Sequence, residues 1–127
     1  VAAGLAPVLS AARRPGAYID CNAVSPATVR EIAALIAGTG WRFADAGIIG
    51  LPPTEAEGTV FYAAGEAAAH FAQVAHPALE VRVLDGPVGA ASALKMAYAG
   101  MTKGVTAICA AMILAAERAG AAETLRA

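Results

Sequence analysis

The chain has 127 residues, 58% hydrophobic and 15% charged, with a formal net charge of −1. This length suits one globular core or a piece of one. The charge balance, without any run of basic residues, argues against partners such as nucleic acid or an anionic membrane surface. Cys21 and Cys109 form no CxxC pair and have no histidine at ligand spacing, so we expect no disulfide, no metal site and a cytoplasmic location.

No membrane-spanning segment or signal peptide is predicted. The most apolar window, 104–116, is shorter than the ~20 residues that cross a bilayer. The N-terminus lacks a basic region followed by an apolar core. Because Val1 runs directly into what reads as the middle of a helix, we expect the chain to be a fragment.

The first half of the chain predicts an α/β fold. Helical spacing in AAGLAPVLSAARR gives a helix that ends at Pro15-Gly16, and AYIDCN is a short strand. Ser25-Pro26 then predicts the start of an amphipathic helix that ends near Gly38. WRFADAGIIG is the next strand, so residues 17–49 have the length of a right-handed βαβ unit with two parallel neighbouring strands.

The second half predicts two more strands and then one long helix. LPPTEAEG is a loop, TVFYAAG a strand, EAAAHFAQVA a short helix and EVRVLDG a strand. From Val88 to about Ala119 the composition is helical throughout. We therefore predict a domain boundary near Gly86, with α/β residues 1–86 and helical residues 87–127.

A polar stripe runs along the predicted long helix. At ~100° per residue these positions share one face: Lys95, Tyr98, Thr102, Thr106 and Cys109, with Lys103 at the edge. One interpretation is a solvated side; the other, favoured by the absence of acidic residues, is the lining of a cleft. A desolvated lysine can serve as acid or base near neutrality or hold an oxyanion. Tyr98 could orient a substrate oxygen, or be a core aromatic with its hydroxyl at the surface.

Two further segments lie at the predicted carboxyl edge of the sheet, where α/β proteins bind ligands. In DCNAVSP, Asn22 and the helix start after Ser25 could hold an anion or a carboxamide, although Ser25 could equally be a plain N-cap. In GIIGLPP, the backbone around Gly50 could approach a ligand closely, or simply form a tight connection. His70 and His76 are interpreted as a helix-face and a loop residue.

The absent motifs narrow the function. The sequence has no GxGxxG after a strand, no GxxxxGK[ST], no GxSxG and no HExxH. We therefore expect this chain to hold no complete nucleotide-phosphate site.

Three elements in order carry a family resemblance. DCNAVSP, FADAGIIGLPPTEAEGT and VRVLDGPVGAASALKMAYAG resemble the DxSTxSP, FxDAPVSGGxxGAxxGT and GxxGxGxxxKxxxN elements of the 6-phosphogluconate and β-hydroxyacid dehydrogenase superfamily. The branch with SALKMxYAxxTKG and a distinct C-terminal domain is the most similar. The resemblance covers about Ala17 to Gly120. It implies that residues 1–86 are the distal part of a Rossmann domain that binds NAD or NADP, and that residues 87–127 open an all-α domain that packs in a homodimer.

The resemblance also implies roles for single residues. Lys95 stands at the position of the family's catalytic acid/base. Asn22 and Ser25 fall in the element that contacts cofactor or substrate. The substrate-binding residues that we predict, the last three from the helical wheel alone, are Ile49, Gly50, Tyr98, Thr102 and Lys103.

The chain departs from the family pattern at several of these positions. Ala99 replaces an asparagine, Tyr98 a histidine found in 6-phosphogluconate dehydrogenases, and Asn22-Ala23 a Ser-Thr pair. Ile49, Gly50 and Leu51 replace Ser-Gly-Gly, which removes a serine that would bind a substrate carboxylate or hydroxyl. The substrate is therefore not expected to be 6-phosphogluconate.

The predicted function is hydride transfer between NAD(P) and a small hydroxy acid, carbonyl or imine substrate, with Lys95 as general acid/base. Because the Gly-rich phosphate loop is not in this sequence, the chain alone should bind cofactor poorly. The alternative is a non-catalytic α/β association module, in which the apolar helix only packs against a partner.

Overall fold

The computed structural model describes residues 1–50, 52, 59–74 and 79–126. The predicted LPPTEAEG loop, apart from Pro52, and His76 lie outside these ranges. The elements are α1 (Ala2–Ser10), β1 (Ala17–Asp20), α2 (Pro26–Ala37), β2 (Arg42–Ile49), β3 (Thr59–Ala64), α3 (Ala68–Phe71), β4 (Leu79–Val83), α4 (Ala90–Arg118) and α5 (Ala122–Arg126).

The four strands form one mixed sheet in the order β1-β2-β3-β4. β1 and β2 are parallel, with Asp20 opposite Asp45, and α2 connects them, so the predicted βαβ unit is confirmed. β2 and β3 are antiparallel, and β3 and β4 are parallel. The α/β class, with a long helix after the sheet, is confirmed.

Alternating side chains give the sheet two covered faces. On one face, α3 packs on small residues, since the buried cluster there consists of Ala44, Ala46, Ala63, Ala67 and Ala68. On the other face, Val29 and Ile36 of α2 pack against Phe43 of β2. Alanines on the first face let helix and sheet backbones come close, whereas the second face is filled by larger side chains.

Two helices are shorter than predicted. α1 ends at Ser10, so Arg13 and Arg14 lie outside it. Pro15 accounts for Arg14, because the residue before a proline is pushed out of helical geometry. α3 covers only Ala68–Phe71 of the predicted EAAAHFAQVA segment.

The chain forms two compact units, Val1–Met96 and Ala97–Ala127. The helix α4 begins at Ala90, close to the predicted Val88, while the domain boundary near Gly86 stays a prediction. By length and composition α4 is apolar enough to cross a membrane, because an 18-residue window has a mean hydropathy of 1.6. The predicted apolar window 104–116 therefore understated the apolar length of this helix, although packed helices of soluble proteins share this composition.

Candidate functional site

The junction between β2 and α4 is built around Asp45. This side chain is fully buried. Its Oδ2 accepts hydrogen bonds from the backbone N–H groups of Gly89 at 3.1 Å and Ser92 at 2.9 Å, and its Oδ1 accepts from Ser92 Oγ at 2.7 Å. The first N–H groups of a helix have no partner within the helix. Asp45 on β2 supplies the acceptor for two of these N–H groups, and so fixes the start of α4 to the sheet.

Gly47 lets α4 lie directly against β2. A Cβ atom at this position would be 2.8 Å from the carbonyl oxygen of Ala91 and 3.2 Å from Cβ of Lys95. A side chain therefore does not fit unless helix and strand move apart. Lys95 follows Ser92 by three residues, about one helical turn, and so lies at the end of β2.

Lys95 is half-buried and lines a pocket of about 430 Å³. Among the described residues that line this pocket, Lys95 alone carries a charged side chain. The others, mostly apolar, are Ile48, Gly50, Pro52, Thr59, Phe61 and Leu79. The structure thus brings the predicted residues Lys95 and Gly50 together. Ile49, which pairs with Val60, is not among the described lining residues.

Two details of the backbone and packing shape the pocket wall. Gly50 has a φ of 126°, a conformation that favours glycine at the point where β2 ends. Phe61 lies opposite Ile48 on β3 and contacts Phe71 edge-on, with ring centroids 5.6 Å apart. The apolar wall is therefore held in place by the sheet and by α3.

The electrostatic field of Lys95 extends to the carboxyl end of β1. Burial raises the pKa of the Cys21 thiol, and the charges of Asp20 and Asp45 raise it further, while the ammonium of Lys95 acts in the opposite direction. A cation stabilises a thiolate only when it is near. Lys95 therefore lies near enough to the end of β1 to act on the Cys21 thiol.

Asn22 and Ser25 lie exposed between β1 and α2. Asp20 Oδ1 accepts from the backbone N–H and from Nδ2 of Asn22, both at 2.9 Å. Ser25 Oγ accepts from the N–H of Thr28 at 3.1 Å, so the serine caps α2. The plain N-cap interpretation of Ser25 describes this geometry, and the cofactor roles of Asn22 and Ser25 stay predictions.

Tyr98, Thr102 and Lys103 belong to the second unit. Tyr98 is half exposed. Thr102 Oγ1 donates to the carbonyl oxygen of Tyr98 at 2.9 Å, and Thr106 Oγ1 donates to that of Thr102 at 2.9 Å. These hydroxyl protons are thus used within α4 itself. Thr102, Lys103 and Thr106 also line a groove of about 440 Å³, and the substrate roles of Tyr98, Thr102 and Lys103 stay predictions.

Comparison with known proteins gave matches among solved structures. No protein-family profile and no curated protein matches the chain. A conserved protein of unknown function, described as structurally similar to 3-hydroxyacid dehydrogenases, is 34% identical with a TM-score of 0.81; the match covers 98% of this chain and 47% of that one. A conserved hypothetical protein from Sinorhizobium meliloti is 28% identical with a TM-score of 0.74, covering 98% and 44%.

An enzyme of known activity also matches. The imine reductase from Myxococcus stipitatus, as a variant in complex with NAD⁺, is 26% identical with a TM-score of 0.61, and the match covers 84% of this chain and 38% of the enzyme. This chain has the fold of the 3-hydroxyacid dehydrogenase-like proteins. The resemblance found in the sequence is confirmed. The chain spans about half the length of the structures it matches.

Some residues in and around this candidate site were not predicted. Asp45 and Gly47 stand inside a motif that carries the resemblance, but no local pattern predicts a role for them. The signal for Asp45 was an acid within a strand whose other residues are mainly apolar. For Ser92 it was a hydroxyl in the first turn of α4. The apolar wall formed by Phe61 and Leu79 depends on strand pairing, which the sequence pattern alone does not give.

Proposed function

We propose that this chain carries the acid/base lysine of an NAD(P)-dependent oxidoreductase that interconverts a small carbonyl or imine with the corresponding alcohol or amine. One observation carries this proposal: in the described lining of an apolar pocket at the end of a sheet strand, Lys95 alone bears a charge. A lone ammonium in an apolar site has a stronger effect on a bound polar atom than it has in water. The match to a dehydrogenase-like structure at 34% identity supports the reaction class.

The chemistry of Lys95 follows from its ammonium group. A nicotinamide cofactor, when bound, supplies the hydride for reduction. As the substrate carbon gains a hydride, its oxygen or nitrogen gains an electron pair, and Lys95 Nζ donates the proton that neutralises it. In the oxidation direction, neutral Nζ takes the proton from the alcohol or amine. The apolar side chains of Ile48, Phe61 and Leu79 exclude water from this proton transfer.

The pocket favours a substrate with an apolar group over a hydroxy acid. A substrate carboxylate needs donors besides the catalytic lysine, and Ile49 stands where the related dehydrogenases have a serine. Ile48, Phe61 and Leu79 supply apolar surface instead. The 26% identical imine reductase supports an imine as the second candidate substrate.

The residues of this chain fit only part of a dinucleotide. The exposed start of α2 and Asn22 could hold a phosphate or a carboxamide. Asp20 Oδ2, a buried oxygen without a partner among the described residues, could accept a hydrogen bond from a hydroxyl or an amide. The Gly-rich phosphate loop is missing from the sequence, so the chain alone should bind weakly. A variant of the matched imine reductase is in complex with NAD⁺, and the enzyme in another structure is in complex with NADP⁺, so both cofactors are candidates.

The proposed assembly is a homodimer through α4. Large apolar side chains are exposed along this helix within the second unit, namely Met101, Val105, Ile108 and Met112. A second copy could cover them. The same observation supports the alternative of an association module without catalysis. Free Cys21 and Cys109 are consistent with the proposed cytoplasmic location.

Cofactor binding separates these functions. We would titrate NADPH and NADH, followed by cofactor fluorescence, into this chain and into the longest product of its gene that contains it. The proposal expects a shifted and enhanced fluorescence with the longer product and little change with this chain. Absence of binding by both proteins would contradict the oxidoreductase proposal and favour the association module.

A further inference from the structure

Asp45 lies beside the candidate site without touching the pocket, and the proton transfer proposed above does not use it. We propose that Asp45 is a positioning residue: together with Ser92 it sets where Lys95 stands at the end of β2. The catalytic consequence rests on the proposed function, whereas the placement of Lys95 can be tested without it.

The contacts of Asp45 are directed at α4. Among the described residues, its carboxylate accepts three hydrogen bonds from Gly89 and Ser92, which lie between 2.7 and 3.1 Å. The side chain is fully buried and Ser92 is nearly so, which keeps water from competing for these bonds. Both carboxylate oxygens act as acceptors, as an ionised carboxylate does.

A second contact holds α4 close to β2. Two residues further along β2, the absence of a side chain at Gly47 brings the strand backbone against Ala91 and Cβ of Lys95. The turn before α4 also lies close to α2, because Gly89 has a φ of 101° and a Cβ there would lie 3.3 Å from the carbonyl oxygen of Pro26. Lys95 follows directly on these contacts, so a shift of the first turn of α4 would be transmitted to its side chain.

A purely structural role for Asp45 is the competing explanation. Under that explanation, removing the carboxylate would lower stability but leave the folded molecules with an unchanged Lys95. Under the positioning proposal, the Lys95 side chain of folded molecules without this carboxylate would be exposed to solvent more often. The exposure of the Lys95 amine therefore distinguishes the two explanations.

The experiment uses competitive labelling of amines in this chain with acetic anhydride, read by mass spectrometry as the ratio of Lys95 to Lys103. Lys103 is exposed and serves as the internal reference. The variants are Asp45→Asn and Ser92→Ala, with Ser92→Thr as the conservative rescue. Ile36→Ala, buried on α2, is the control that lowers stability away from α4.

The expected result is a low ratio in the wild type, Ser92→Thr and Ile36→Ala, and a raised ratio in Asp45→Asn and Ser92→Ala. Since one hydrogen bond to a charged group shifts a local equilibrium by about tenfold, the labelling of Lys95 should increase several-fold. If Asp45→Asn does not fold, Ser92→Ala alone decides. An unchanged ratio in folded Ser92→Ala would overturn the proposal.

A kinetic measurement links the positioning to catalysis. In the longest gene product, Asp45→Asn should lower kcat about tenfold while KM changes little, because the proton donor is displaced and the apolar wall is not. A raised labelling ratio in a protein without oxidoreductase activity would support the positioning of Lys95 and contradict the proposed function. Full kcat together with an unchanged labelling ratio would overturn the positioning.

Discussion

The polar groups of α4 have different hydrogen-bond partners at the start of the helix and in its later turns. Near β2, the polar groups of α4 bond to another element: Ser92 and Gly89 donate to Asp45. In the second unit, Thr102 and Thr106 donate to carbonyl groups of their own helix, and large apolar side chains are exposed. The first arrangement fixes a side chain in space. The second uses the hydroxyls within the helix and, among the described residues, holds no group of another element, so a fixed site is expected around Lys95 rather than along the whole polar stripe.

Among the stability changes that test this contrast, the largest is expected from Asp45→Ala. The substitution leaves two backbone N–H groups and one hydroxyl buried without their acceptor, at a cost of about 1–3 kcal/mol each. Urea unfolding should show a loss of at least about 3 kcal/mol in the free energy of unfolding. A loss below about 1 kcal/mol would mean that Asp45 does not anchor α4.

A matched pair of glycine substitutions should give opposite signs. Gly47→Ala places a methyl group 2.8 Å from the carbonyl oxygen of Ala91 and should destabilise the chain by about 1–3 kcal/mol. Gly100→Ala, in α4 where nothing lies within 4 Å, should stabilise it by up to about 1 kcal/mol through helix propensity. Equal values for the two variants in urea unfolding would contradict the close approach at Gly47.

Cys21 reports on the charge of Lys95. Because its pKa is raised, less thiolate is present at a given pH, and alkylation by iodoacetamide should reach half its maximum at a higher pH than for an ordinary thiol. Lys95→Met removes the cation that lowers this pKa, so the profile should move to still higher pH. Exposed Cys109 is the internal control. An unmoved Cys21 profile would place Lys95 away from the end of β1.

The smallest effect is expected from Thr102→Val. Its hydroxyl is exposed and bonds only within α4, so stability should change by less than about 0.5 kcal/mol in urea unfolding. If Thr102 binds substrate, as the helical wheel predicts, the same variant should raise KM in the longest gene product. An unchanged KM would restrict the substrate site to the surroundings of Lys95.

Local patterns in the sequence predicted the elements well. Ser25-Pro26 marked the start of α2, and the βαβ unit to Ile49 followed from strand and helix periodicity. Lys95 was identified as the candidate acid/base from a charged residue in an apolar helix and from the family resemblance. These features can be predicted from the sequence because each depends on residues only a few positions apart.

Long-range contacts could not be predicted in the same way. Asp45 and Ser92 are 47 residues apart, and neither carries a local sign of the other. The antiparallel pairing of β2 and β3 and the apolar wall at Phe61 depend on how strands are arranged, which periodicity does not determine. The resemblance identified the motif containing Asp45, but only the geometry shows which group it holds.

The central claim is that Lys95 transfers the proton, and steady-state kinetics of Lys95→Met test it most directly. The longest gene product would be assayed for NADPH-dependent reduction of a small apolar ketone, with and without an amine. Arg14→Met, which removes an exposed cation before β1, is the matched control. We expect kcat to fall by about 10²–10⁴-fold in Lys95→Met, while NADPH binding and the Arg14→Met rate stay unchanged. A Lys95→Met enzyme as fast as the wild type would contradict the central claim.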